Sequence, residues 1–405
     1  MLHEVSGDIL LSDAEAIAHG LAANDPMNQG LAEALHQRYP AMHKDFHHWC
    51  HQTRRDPGSA WIWSGAGGVR IVNLITQDGG YGHGGHHKPG KASVGNVNKA
   101  LKSLKEIIES YAFRLLAGPG DEVLIPAPSY PLFDYLGRLN DLEILHYPLE
   151  YTDRWQVDFS TLRERTTPRT RAVLVVHPNN PTGSFIRRRE LDSLIEICSR
   201  QNLALIADEV FADFEFAATD SLGESDSRVI THAAEDRALT FVLSGLSKIS
   251  ALPQMKLAWL IANGPQPLLR DALARLEIIA DTYLSVSAPL ACALPKLLAT
   301  RSSIQKQILT RVHTNLTKLD EHLSQGSAVS RLHVEGGWYA ILRVPRTQSD
   351  EDWAIRLVSE DGVLAHPGHF FDFASDGCLV VSLLPRAEVF ENGIARILAR
   401  VAKEA

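Results

Sequence analysis

From about residue 120 onward, short apolar runs alternate with longer amphipathic ones. That alternation restricts the chain more than any other feature. It demands an α/β architecture in which helices cover a mostly parallel sheet. Expected strands are Glu122–Pro126, Glu143–Tyr147, Ala172–Val176, Leu203–Ala207, Thr240–Leu243 and Ala258–Ile261. Several show no polar alternation, as strands buried on both faces require. Helices are expected over Arg189–Gln201 and from near Gln266. The run Gly336-Gly337-Trp338-Tyr339-Ala340-Ile341-Leu342 has a different character and reads as a strand of a small α+β C-terminal domain.

Polar groups cluster where these strands end. Ser244-Gly245-Leu246-Ser247-Lys248 follows Thr240–Leu243 directly, and Asp208 follows Leu203–Ala207 directly. His177-Pro178-Asn179-Asn180-Pro181-Thr182-Gly183 follows Ala172–Val176. Three successive strands thus bring an amine, a carboxylate and an amide to one sheet edge, where α/β folds build sites. Pyridoxal phosphate (PLP) asks a protein for such groups. It needs an amine to form an imine, a carboxylate to keep the pyridine nitrogen protonated, a face for the ring and donors for the phosphate. Each residue also has a plainer role open to it. Lys248 suits an exposed turn, Asp208 a helix N-cap, and Asn180-Pro181-Thr182-Gly183 a simple turn.

Four segments occur together in family order and spacing. They are Pro126-Ala127-Pro128-Ser129-Tyr130-Pro131, Asn179-Asn180-Pro181-Thr182-Gly183, Asp208-Glu209-Val210-Phe211 and Ser247-Lys248. Over roughly residues 111–400 the chain resembles the class I/II aminotransferases, PLP enzymes of fold type I. The resemblance implies transfer of an amino group between an amino acid or amine and a 2-oxo acid. A C–S lyase or a decarboxylase uses the same cofactor. It implies that Lys248 forms the Schiff base and then shuttles the substrate α-proton. Tyr130 stacks on the ring, Asn180 meets the ring oxygen and Asp208 pairs with the pyridinium. Ser244 and Lys256 help to hold the phosphate. A homodimer is also implied.

The chain departs from the family pattern at several points. Lys256 stands where many members carry arginine, which keeps the charge but loses the bidentate fork. Phe211 stands where many carry tyrosine, which removes a donor to the cofactor's phenolate oxygen and raises the pH at which the imine titrates. Val380 occupies the position of the usual substrate-carboxylate arginine, and Arg386 lies nearby in sequence. The glycine- or serine-rich phosphate loop expected before Tyr111 is replaced by Leu104-Lys105-Glu106-Ile107-Ile108-Glu109-Ser110. That segment reads as mid-helix sequence with its amides already bonded.

The first 110 residues read as a separate unit. Gly7-Asp8-Ile9, Ala16-Ile17-Ala18-His19-Gly20, Met27-Asn28-Gln29-Gly30-Leu31-Ala32 and Val72-Asn73-Leu74-Ile75-Thr76-Gln77 together resemble a macro domain. Strands are expected over Ala16–His19 and Arg70–Thr76. The resemblance implies ADP-ribose as ligand, with Asp8 at the adenine amine, Ile9 offering a backbone amide and the Gly30 loop at the distal ribose. Its second diphosphate loop and final strand have no counterpart. The apolar stripe Val94, Val97, Leu101, Leu104, Ile108, Tyr111, Leu115 predicts one helix across the junction. The expected division is therefore 1–110 macro-like, 111–265 aminotransferase large domain, 266–300 connecting helix and 301–405 small domain. An inactive fusion of two truncated folds is the third functional reading, beside the enzyme and the ADP-ribose module.

The remaining signals mainly exclude. A net charge of −8 gives no nucleic-acid surface, and no apolar run reaches membrane-spanning length. No signal-peptide pattern opens the chain. Cys50, Cys198, Cys292 and Cys378 lack CxxC spacing and read as free thiols in a reducing cytosol, with Cys198 and Cys292 in apolar surroundings. His43, His47 and His51 share one helical face, and His83, His86 and His87 lie in a glycine-rich loop. Nothing completes a four-ligand zinc set around them, so they read as surface histidines with no metal.

Overall fold

The structure is a computed structural model that describes residues 16–23, 25–52, 59–64, 70–80, 111–216, 227–281, 286–324 and 326–404. The chain divides into two units. One is Met1–Tyr111 with Ala274–Cys292, the other Ala112–Leu273 with Ala293–Ala405.

In the first unit, β1 (Ala16–Ala23), β2 (Ala60–Ser64) and β3 (Arg70–Gly80) form a sheet in the order β1-β3-β2. β1 runs parallel to β3 and β2 antiparallel to it. Helices Gly30–Arg38 and Pro40–Gln52 supply the packing layer. Pro40 opens its helix where no intrahelical N–H is needed. Met42, Phe46 and Cys50, four residues apart, present one buried face to Ile17, Leu21, Ile71 and Ile75. Both expected strands are present and run on for several residues. The segment around Asp8, residues 81–91 of the glycine- and histidine-rich loop, and the stripe from Val94 to Ile108 lie outside the described residues. The end of that stripe is helix Tyr111–Leu116.

The second unit contains a seven-stranded sheet. Its strands are β4 (Glu122–Ala127), β5 (Glu143–Tyr151), β6 (Trp155–Val157), β7 (Thr170–Val176), β8 (Ala204–Asp208), β9 (Thr240–Gly245) and β10 (Ala258–Asn263). The order is β10-β9-β8-β7-β4-β5-β6. β5, β4, β7, β8 and β9 are parallel, and the edge strands β10 and β6 are antiparallel to their neighbours. Ala172 to Val175 and Ala204 to Ala207 are all buried, which explains their unbroken apolar sequence. Helix Arg188–Gln201 buries Leu191, Leu194, Ile195 and Cys198, a stripe at helical spacing. The Glu190 carboxylate accepts from the Arg187 backbone N–H at its start, and Asn202 ends it in the left-handed region. Each fully buried Leu or Ile in this stripe contributes about 1.5–3 kcal/mol.

The same unit holds a smaller antiparallel sheet. Its strands are β11 (Ser330–Arg331), β12 (Tyr339–Arg343), β13 (His366–Pro367) and β14 (Cys378–Ser382), in the order β11-β12-β14-β13. Helices Arg301–Leu323, Asp350–Glu360 and Ala387–Glu404 accompany it. The strand expected from Gly336 starts at Tyr339, because Gly336 and Gly337 form the turn before it. The core of this sheet is shared. Trp338, Leu342 and Leu379 pack in one cluster with Phe211, Phe214 and Phe216, which follow β8.

The region after Gln266 comprises two helices, Gln266–Asp281 and Ala288–Ala299. Cys50, Cys198 and Cys378 are buried free thiols, but Cys292 is exposed. The apolar sequence around Cys292 suggested burial. Its helix, although apolar through most of its length, buries none of its side chains. No described helix is long and apolar enough to cross a membrane.

Candidate active site

Strand register brings the polar groups together. Asp208 is paired with Val176 of β7 on one side and Leu243 of β9 on the other. His177 N–H donates to the Asp208 carbonyl oxygen at 2.8 Å, so the loop carrying Asn180 leaves from the rung on which Asp208 sits. On the other side, Ser244 follows Leu243, and the short helix Leu246–Ile249 carries Lys248. Gly245 permits this turn. A Cβ there would stand 2.8 Å from the Leu257 carbonyl oxygen. Leu246 N–H bonds to that same oxygen, so Lys256 emerges beside the Lys248 helix.

The Lys248 amine is half-buried between two aromatic rings. Its Nζ lies 5.4 Å from the centre of Phe211 and 5.2 Å from that of Trp338. Phe211 is itself buried, edge-on to Trp338 at 5.1 Å. One carboxylate oxygen of Asp208 accepts from Val210 N–H at 3.1 Å. This bond closes a local turn after β8; the 3-10 helix Ala212–Phe214 that follows is capped by Phe211, not by Asp208. Asn180 is buried, and its Oδ1 has no hydrogen-bond partner among the described residues. A buried acceptor left without a partner costs about 1–3 kcal/mol, so this oxygen is placed to accept from a donor on a bound group. Gly183, at φ +68°, closes the Asn180 loop, and a Cβ there would meet the Gly336 carbonyl oxygen at 2.5 Å.

Tyr130 is 45% exposed, its ring 6.5 Å from that of Phe371. Ser129 N–H donates to the Phe371 carbonyl oxygen at 2.9 Å, tying this loop to the turn Gly368–Phe371. Burial raises the Tyr339 phenol, and neighbouring Tyr130 adds to the shift. Ser244 is buried and Lys256, at φ +52°, is half-buried.

Three of these side chains were not singled out by sequence reasoning: Trp338, Tyr339 and Phe371. The signal available for the first two was an aromatic pair directly after Gly336-Gly337.

Val380 is fully buried in an apolar cluster with Trp155, Leu332, Ile341 and Phe371. No cation stands at that position. Arg386 lines an open cavity of about 570 Å³ with Lys306, Arg311 and Glu388. Residues 104–110, which replace the expected phosphate loop, lie outside the described residues.

The other candidates fare as follows. Asp8 and Ile9 lie outside the described residues, and Gly30 starts a helix at φ +60° with open space around its Cα. His43 and His47 are half-buried rather than exposed, whereas His48 and His51 are exposed. The His43 ring stacks on His36 at 3.8 Å, and His47 Nε2 donates to the Asp25 carbonyl oxygen at 3.1 Å. His83, His86 and His87 lie outside the described residues. A set that the sequence did not suggest is Asp134, His146 and Asp372, whose donor atoms lie within 4.8 Å of one another. His146 Nε2 is 3.1 Å from the Asp134 carboxylate and 3.9 Å from that of Asp372, the geometry of a shared ion pair.

The sequence profile of the family described as aminotransferase class I and II matches residues 104–397. The chain belongs to the class I and II aminotransferases. The glutamate-pyruvate aminotransferase AlaA of Escherichia coli is 26% identical over 291 residues, 70% of each chain. An alanine aminotransferase of Mycobacterium tuberculosis is 27% identical over 69% of this chain and 65% of its own length. Among solved structures, an alanine aminotransferase from Pyrococcus furiosus superposes with TM-score 0.63 at 21% identity, covering 75% of this chain and 74% of its own. A tyrosine aminotransferase from Leishmania infantum gives 0.64 at 20%, covering 74% and 73%. These likenesses show the fold, fold type I. The protein is an enzyme of amino-group transfer, and the family's cofactor is pyridoxal 5′-phosphate. The residues present fit that group. A half-buried lysine, a carboxylate, a buried amide with an unpartnered oxygen and an open tyrosine ring lie at the strand ends of one sheet edge.

Proposed function

We propose that the protein moves an amino group between a small amino acid and a 2-oxo acid, with Lys248 as its catalytic residue. One observation carries the reading: Val176, Asp208 and Leu243 share one rung of the neighbouring strands β7, β8 and β9, and the chain runs on from that rung to Asn180 on one side and Lys248 on the other. The cofactor, when bound, supplies the electron sink that stabilises negative charge at the substrate α-carbon. The protein does the rest. Asp208 keeps a proton on the ring nitrogen, and Asn180 binds the ring oxygen. Tyr130 covers one ring face. The Lys248 amine would hold the cofactor and would accept and return the α-proton. Phe211 and Trp338 keep water from that amine. Ser244 and Lys256 hold phosphate, Lys256 as a point charge.

The names of the relatives make alanine, glutamate and pyruvate the first substrates to assay. Val380 argues against an arginine-type carboxylate clamp on β14, so weak affinity for 2-oxo acids as a class follows. The reading includes the division 1–110, 111–265, 266–300 and 301–405, a homodimer and a cytoplasmic location. The ADP-ribose reading of residues 1–110, with Asp8, Ile9 and Gly30, rests on resemblance alone, and calorimetry with ADP-ribose tests it. For the enzyme the test is an absorbance spectrum with added PLP. A visible band present in the full chain and lost in Lys248→Ala is expected. Its absence from the wild type would remove the reading.

A further inference from the structure

We infer that Glu209 and His177 are positioning residues that set Asp208 and Asn180 relative to the cofactor ring. The inference rests on the proposed cofactor site and extends it to side chains that turn into the protein interior.

Each of the two follows from chain direction. Glu209 is next to Asp208, and neighbouring residues at a strand end point to opposite sides. Asp208 thus faces the site edge while Glu209 is buried. His177 directly follows β7 and is fully buried. Both side chains reach the same segment, Val229 to His232. The Glu209 carboxylate accepts three hydrogen bonds there: from His232 N–H at 2.6 Å, His232 Nδ1 at 2.8 Å and Thr231 Oγ1 at 2.7 Å. His177 Nε2 donates to the Val229 carbonyl oxygen at 2.8 Å, and its Nδ1 accepts from Ile186 N–H at 3.1 Å. The His177 and His232 rings meet edge to face at 4.7 Å.

The result is one buried layer beneath two loops. His177 and Ile186 close the base of the loop that has Asn180 near its tip. Glu209 fixes the backbone that starts at Asp208, and His177 N–H bonds that backbone directly. A shift in this layer therefore moves both site residues together.

Charge supports the same role. Burial pushes the His177 imidazole down to about 3, so that ring does not compete as a cation for the Asp208 carboxylate. Burial alone would raise Glu209, but the bonds from His232 and Thr231 hold it below its ordinary value. Glu209 and His177 are thus an anion and a neutral ring.

The test uses the full chain with PLP and reads two quantities besides activity. They are the PLP dissociation constant and the pH midpoint of the visible cofactor band. Glu209→Gln keeps the shape but sets an amide donor against donors. It is expected to weaken PLP about tenfold, since small misplacements at such sites cost that much or more. It is also expected to raise the band midpoint by about half a pH unit, as both ring contacts loosen. His177→Asn, which keeps one donor and one acceptor, serves the same test where Glu209→Gln fails to fold. Leu194→Ala, a buried position on the helix Arg188–Gln201, is the control for general destabilisation and should leave both readouts unchanged. Equal shifts in Leu194→Ala and Glu209→Gln, or none in either positioning variant, would overturn the inference while the wild-type band still stands. A wild type with no band that depends on Lys248 would overturn the cofactor reading itself, and the inference with it.

Discussion

The amine of Lys248 lies 5.2 Å from the centre of the Trp338 ring. At that distance the ring lies within cation–π range of the amine. Trp338→Leu removes the ring but leaves an apolar side chain. Turnover in an amino-transfer assay should fall about tenfold or more as the amine loses its fixed position. An unchanged kcat would mean that Trp338 serves only the core.

Glu335 is buried and accepts from Arg187 Nη2, from Arg228 Nε at 3.2 Å and from Phe185 N–H at 3.3 Å. Arg187 is buried too. Removing one partner from such a set strands buried charge. Glu335→Ala should cost about 3–5 kcal/mol, read from urea unfolding of the full chain. A loss below about 1 kcal/mol would show that the network is fully hydrated, as exposed ion pairs are.

Val380→Arg puts a guanidinium where the family has one. The site here is an apolar cluster with Trp155, Ile341 and Phe371. An unpaired buried charge should destabilise the protein by about 3 kcal/mol or more and should not improve use of any 2-oxo acid. A stable Val380→Arg protein with tighter 2-oxo acid binding would place Val380 on the substrate cleft instead.

Two sets of histidines should respond to pH in opposite senses. His43 and His47 lie below the ordinary 6.5, chiefly through burial, with His36 also repelling His43. A histidine depressed in the folded state binds fewer protons there than in the unfolded chain. Its stabilisation is present above 6.5 and lost as pH falls from 6.5 through the depressed value. His146 is the reverse. Its bond to Asp134 raises it against the cost of burial, so its contribution is present below 6.5 and lost as pH rises through the raised value. Hydrogen-exchange protection, corrected for intrinsic rates, should fall below pH 6.5 in helix Pro40–Gln52. NMR titration of the His146 ring should give a midpoint above 6.5, returning toward 6.5 in Asp134→Asn.

The parts legible in sequence were those governed by local pattern. β4, β7, β8 and β9 were expected within a few residues because strands covered on both faces carry few polar side chains, whereas β10, half-buried at the sheet edge, was legible from its apolar run alone. Lys248, Asp208 and Asn180 were legible because each follows such a strand at once. β6, three residues long, is too short to show alternation. Trp338 and Phe371 reach the site from a sheet whose strands lie about a hundred residues further along. No periodicity states which loop a distant turn will meet. The buried Glu335 failed to announce itself for the same reason, since its partners Arg187 and Arg228 are far away in sequence. Cys292 shows the converse error, where an apolar neighbourhood in sequence is no burial in space.

The turn at Gly336 has one more implication. Its carbonyl oxygen leaves no room for a side chain at Gly183, it bridges Glu215, and Gly337 N–H bonds the Phe214 carbonyl oxygen. The loop that carries Asn180 and the segment that follows Asp208 are thus both riveted to the entrance of β12. Any breathing of the small sheet during turnover must find its fulcrum elsewhere, and Gly336 is where engineered flexibility would do most harm.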